Sequence, residues 1–132
     1  MIRIFKLTLV LLIIASFSAC QKSVEQTKEE SYMNITANEA KEIMDTQSDY
    51  IILDVRTEEE FAQGHIPNAI LIPDYEIETK ATSMLTDKNQ LILVYCRSGR
   101  RSKNAAEKLV KLGYTNIKEF GGIIDWPYET VK

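Results

Sequence analysis

The sequence predicts an α/β domain built on a mostly parallel sheet, and three observations carry that expectation. Strand-like and helix-like segments alternate along residues 34–132. Two of the strand-like segments, Tyr50 to Val55 and Leu91 to Tyr95, are continuous apolar runs, the pattern of strands covered on both faces. The second run leads directly into Cys96 and the polar loop Arg97-Ser98-Gly99-Arg100-Arg101-Ser102, with a helical stretch behind it. In open parallel sheets ligands bind beyond the carboxyl ends of the strands, which is where this cysteine falls.

Each element has a local reason. Thr36-Ala37-Asn38-Glu39 reads as a capping box, opening a helix to about Asp45 with Ala40, Ile43 and Met44 on one face. Tyr50 to Val55 follows as the first buried strand. Thr57-Glu58-Glu59-Glu60 is a second capping box, and Gly64 ends the short helix it starts. Ala69 to Ile72 reads as a strand closed by Pro73, and Tyr75 to Leu85 as a helix with Ile77, Ala81, Met84 and Leu85 inward. After the second apolar strand, Ser102 to Leu112 presents Ala105, Ala106, Leu109, Val110 and Leu112 on one face, with Gly113 as its C-cap. Ile117 to Phe120 is the last strand. Gly121-Gly122 then turns into a short helix through Trp126 that Pro127 stops.

The start of the chain has a different character. Arg3 and Lys6 precede the apolar stretch Leu7 to Phe17 and the small residues Ser18-Ala19, the order of a secretory signal. The apolar run is too short for a comfortable membrane span. Gln21 to Ser31 holds one aliphatic residue and no aromatics, so it reads as a tether rather than a packed segment. This divides the chain into a signal at 1–19, a tether at 20–33 and a folded domain at 34–132. Without the signal the formal charge moves from −3 to about −5, which gives no support for nucleic-acid binding.

Cysteine usage narrows the chemistry. The sequence has two cysteines, Cys20 and Cys96, and only Cys96 lies in the domain, so the domain has neither an internal disulfide nor a multi-cysteine metal site. A thiol at a helix N-terminus lies near unpaired N–H groups and the positive end of the helix dipole. Here Arg97, Arg100 and Arg101 are also close in sequence. All of these favour the thiolate, the nucleophilic form. The pattern points to a reactive cysteine that handles small anions and needs no cofactor or metal.

Several segments together resemble the rhodanese family. They are Asp54-Val55-Arg56, Glu60-Phe61 with Gly64-His65-Ile66-Pro67-Asn68-Ala69, the loop CRSGRRS, and Gly121-Gly122-Ile123 followed by Trp126. The one departure of note is Asn68, where the family more often has glycine; asparagine tolerates the positive φ of such a turn. The resemblance implies a rhodanese-like three-layer αβα fold and a thiosulfate sulfurtransferase or close sulfane-sulfur relative. Cys96 would carry sulfur as a persulfide between an anionic donor, thiosulfate or a polysulfide, and a thiol or cyanide acceptor. It also implies that the backbone N–H groups of Arg97, Ser98, Gly99, Arg100 and Arg101 cradle the substrate, with the Arg97 and Arg101 side chains on thiosulfate. Phe17-Ser18-Ala19-Cys20 is similar to a bacterial lipobox, which implies lipid on Cys20 and an exported, membrane-anchored lipoprotein, at the periplasmic face of the envelope or the outer cell surface.

Competing readings have their own signatures. Cysteine-dependent phosphatases and arsenate reductases use Cys-x5-Arg, whereas the sixth residue after Cys96 is Ser102 and Tyr95 stands where a histidine is usual. A non-enzymatic persulfide carrier needs the same loop as a catalyst and stays open on sequence grounds. Asp54 and Arg56 read as an ion pair or loop brace, His65 as a turn brace, Trp126 as core, and Arg100 with Lys103 as a solvated face.

Overall fold

The strand that leads to the cysteine is the centre of the fold. The computed structural model describes residues 31–132, and in it β4 (Leu91–Cys96) is buried at all six positions. Its side chains alternate between two cores: Ile92, Val94 and Cys96 face one, Leu91, Leu93 and Tyr95 the other. A strand covered on both faces has no polar side, which is why its sequence does not alternate. Burying each large side chain of such a run contributes about 1.5–3 kcal/mol relative to exposure.

The remaining elements are β1 (Met33–Asn34), α1 (Ala37–Thr46), β2 (Tyr50–Asp54), α2 (Glu58–Gln63), β3 (Ile70–Leu71), α3 (Ile77–Met84), α4 (Arg100–Lys111) and β5 (Ile117–Gly122). Short 3-10 turns cover Asp74–Glu76 and Ile123–Asp125. The strands form one five-stranded sheet in the order β1-β5-β4-β2-β3. Every pairing is parallel, so the expected mostly parallel sheet is wholly so. Ile77 and Ala81 of α3 pack with Ala105, Ala106 and Leu109 of α4 on one face. Ala40 of α1 packs with Ile66, Phe120 and Trp126 on the other. From β2 the chain steps to β3 on one side; from β4 it steps to β5 on the other. The carboxyl ends of β2 and β4 therefore meet at a topological switch point.

Local signals set most boundaries. Thr36 caps α1 with a complete capping box: its hydroxyl accepts from the Glu39 N–H at 3.1 Å, and the Glu39 carboxylate accepts from the Thr36 N–H at 2.7 Å. At α2 only half of the expected box forms. Thr57 accepts from the Glu60 N–H, but the Glu60 side chain is drawn off to Arg101. The helix expected from Ser102 begins at Arg100, because Gly99 in the left-handed region (φ 109°) already serves as its N-cap. Met84, expected inward, is 46% exposed, since Ile77, Ala81 and Leu85 make the buried stripe at i, i+4, i+8 and Met84 falls beside it. β1 was not expected: two residues are too few to show a period. Asn68 adopts φ 67°, as its turn position suggested.

One irregularity shapes the site. Val94 pairs with Glu119, but Cys96 pairs with Gly122, so two steps on β4 oppose three on β5. This bulge brings Gly121 and Gly122 beneath the loop that follows β4. The expected signal, Cys20 and all but the end of the expected tether lie outside the described residues.

Candidate active site

Cys96 is the last residue of β4, and the chain turns over its sulfur. Gly99 N–H donates to Cys96 Sγ at 3.0 Å. Gly99 can do this because its left-handed backbone folds the loop back while starting α4, a conformation L side chains rarely adopt. The loop rests on β5: a Cβ at Gly122 would stand 2.0 Å from the Arg97 carbonyl oxygen, so no larger residue fits there without moving the loop. The Ile124 N–H donates to the same carbonyl at 3.3 Å. Cys96 is 1% exposed. Burial alone would describe an inert thiol; the N–H aimed at its sulfur and its position at the start of α4 are what mark it as chemical.

The structure separates the three arginines. Arg101, in the first turn of α4, makes a bidentate ion pair with Glu60 of α2, at 2.9 and 2.8 Å. That hydrogen bonding holds the Glu60 carboxyl below the usual carboxylate range and raises Arg101. Arg101 thus reaches the site with its charge already shared. Arg97 is exposed, has no ion pair among the described residues, and stands on the wall of a cleft of about 420 Å³ with Arg56, Glu60, Ile123 and Trp126. Arg100 points to solvent with Ser98.

Asp54 and Arg56, one strand over, hold each other. Both Arg56 Nε and Nη2 donate to the Asp54 carboxylate, at 2.7–3.1 Å, the Arg56 N–H adds a bond at 2.9 Å, and Nη2 also reaches the Gly64 carbonyl at 2.7 Å. Both residues are buried. They brace the β2 loop and its return through Gly64, and none of these bonds reaches the sulfur. Tyr95, beneath them, accepts from the Ile66 N–H at 3.1 Å; burial, with the Asp54 charge, pushes its phenol well up, so it stays neutral. His65 stacks on Phe61 at 3.7 Å, and its Nδ1 meets the Phe61 carbonyl at 2.9 Å. Trp126 packs on Phe120.

Two residues at the sulfur carry more than their sequence signal suggested. Ser102, standing where the phosphatase pattern has arginine, is buried with Oγ 3.4 Å from Cys96 Sγ. Glu119 of β5 is 2% exposed and accepts from Ser102 Oγ at 2.6 Å and from the Gly121 N–H at 2.8 Å. The clue to Glu119 was period two in β5: Ile117 faces the α4 core, so Glu119 does as well.

A parallel three-layer sheet with a thiol cradled at its switch point defines a class: α/β domains that work through a cysteine at the start of a helix. Within that class, the family description "Rhodanese-like domain" matches residues 36–127. The chain belongs to the rhodanese-like family, whose sulfurtransferase members are among its relatives. It is 39% identical over 80 residues to "Thiosulfate sulfurtransferase PspE" of Escherichia coli, covering 61% of this chain and 77% of that one. It is 36% identical over 101 residues to "Putative sulfur carrier protein YrkF" of Bacillus subtilis, covering 76% of this chain and 54% of that one. The solved structure described as "rhodanese with anions from E. coli" superposes with a TM-score of 0.59 at 37% identity, covering 63% of this chain and 98% of its own.

Proposed function

We propose that this protein is an exported thiosulfate sulfurtransferase, tethered to a membrane through lipid on Cys20, that moves sulfane sulfur through a Cys96 persulfide. The observation that carries the reading is the Gly99 N–H on Cys96 Sγ at the N-terminus of α4. The Cys96 thiolate attacks the outer sulfur of thiosulfate, a new S–S bond forms, the donor's S–S bond breaks, and sulfite leaves with the electron pair. Cyanide or a thiolate then attacks the outer persulfide sulfur, and the Cys96 thiolate returns as leaving group. The covalent intermediate divides one transfer into two easier steps. Charge stays negative throughout, so a loop of N–H donors at a helix start, with Arg97 beside the cleft and in no ion pair among the described residues, is the fitting environment. The polysulfide donor remains a variant of the same step.

A second reading is a persulfide carrier that loads but turns over slowly. It draws on the buried sulfur and on the relative named as a sulfur carrier. Intact mass of residues 21–132 after thiosulfate alone tests both. One added sulfur atom, removed by cyanide and absent in Cys96→Ser, supports the persulfide route; catalytic thiocyanate release selects the enzyme, and a stoichiometric burst selects the carrier. No adduct from thiosulfate or polysulfide would overturn both.

A further inference from the structure

Of the two buried acids among the described residues, Asp54 has Arg56 as its partner and Glu119 has no ion pair. A buried carboxyl without a counter-charge is costly and needs hydrogen bonds in compensation. Glu119 finds them in the two groups that shape the sulfur site, the Ser102 hydroxyl and the Gly121 N–H.

Ser102 is where the arrangement becomes selective. Its Oγ lies 2.6 Å from Glu119 Oε1, 2.9 Å from the Gly99 carbonyl, 3.3 Å from the Gly121 carbonyl and 3.4 Å from Cys96 Sγ. Toward the sulfur the hydroxyl accepts, from the Cys96 thiol, and its one proton cannot serve all three oxygens. The shortest bond is also the one to a carboxylate, and charge-assisted bonds are about twice as strong as neutral ones. The proton goes to Glu119, and the hydroxyl turns lone pairs toward the sulfur.

We propose that Glu119 is a positioning residue that acts through Ser102, holding the serine proton off the Cys96 sulfur so that the nucleophile stays lightly hydrogen-bonded. A donor on a thiolate makes it less basic and also less nucleophilic, the attack rate falling by about threefold per tenfold loss of basicity. With the serine proton engaged elsewhere, the Gly99 N–H is the donor left on Sγ among the described residues. The inference rests on Cys96 being the attacking sulfur, as proposed above, but its test does not need thiosulfate.

The experiment is alkylation of the full chain by iodoacetamide, read from the mass of the Cys96 peptide, on the alkaline plateau where the rate reports nucleophilicity. Glu119→Gln should slow the plateau rate by about three- to tenfold, because the serine proton is then free to turn to the sulfur. The same substitution on a Ser102→Ala background should produce no such slowing, since the proton in question is gone. No slowing with serine present, or equal slowing on both backgrounds, would overturn the proposal; the second result would make Glu119 merely structural. Should Glu119→Gln fail to fold, proton NMR of the unmutated chain decides. A slowly exchanging, downfield Ser102 hydroxyl with cross-peaks to the Glu119 side chain is expected. Its absence, while the equally buried Tyr114 hydroxyl at 2.6 Å from the Leu85 carbonyl is visible, would overturn it.

Discussion

The carboxyl ends of β2 and β4 are neighbours in the sheet, in register from Tyr50 opposite Leu91 to Asp54 opposite Tyr95, yet they are finished in opposite ways. β2 ends in a buried acid and base that satisfy each other. β4 ends in a buried sulfur that, among the described residues, has a single N–H upon it, beside an exposed arginine with no ion pair among those residues. The first end is closed electrostatically and serves to hold loops. The second has no such closure among the described residues, and it is the end where the proposed anionic donor would bind. The topology gives both strand ends the same location, and the pairing of charges is what distinguishes the β2 end from the candidate site at β4.

The sharpest way to break this contrast is at the sulfur. Cys96→Ser should abolish persulfide formation while leaving the circular dichroism spectrum unchanged; residual transfer would mean that the chemistry lies elsewhere. Gly122→Ala comes next, since its Cβ would collide with the Arg97 carbonyl backbone. Displacing the cradle by about an ångström should cost roughly 10²-fold in the rate of sulfur loading, measured by stopped reaction and intact mass. The β2 end should show the reverse pattern. Asp54→Ala leaves Arg56 buried and unpaired, and should lower unfolding stability by about 3–5 kcal/mol in urea titration, by far the larger part of its effect.

Smaller effects sharpen the comparison among the arginines. Arg97→Ala should raise the thiosulfate concentration giving half-maximal loading about tenfold, the worth of one hydrogen bond to a charged group. Arg101→Ala should move it less, because that guanidinium is already engaged by Glu60. Equal shifts would show that the Glu60 pair opens when the anion arrives. The smallest effect concerns Glu60 itself. Its folded carboxyl is held below the range it has in the unfolded chain, so the pair's stabilisation is full above about pH 5 and is lost as pH falls through the folded value. The difference in stability between the natural chain and Glu60→Gln should therefore be under about 1 kcal/mol at neutral pH and vanish on acidification.

Much of the molecule was legible from short stretches of chain. The apolar runs located β2 and β4, Thr36 and Thr57 located two helix starts, and the loop from Cys96 to Ser102 located the sulfur. The partners were less legible. Glu60 looked like the far half of a capping box, and only its proximity to Arg101, which is distant in sequence, shows that it serves a different residue. Arg97 and Arg101 looked equivalent, and the fold made Arg101 half of an ion pair while Arg97 has none among the described residues. Glu119 carried a signal in the alternation of β5, but a single acid in an inward position says nothing about its partner until α4 is laid against it.

The sequence by itself determined the alternating α/β plan, the covered strands and the cysteine at a strand-to-helix turn, because periodicity, caps and turn residues act within a few positions of one another. Tertiary structure alone decided which charges cancel, where the β5 bulge sets Gly122 under the loop, and that Ser102 stands between Glu119 and the sulfur. Those relations join residues far apart in the chain, and they exist only once the sheet and α4 have packed.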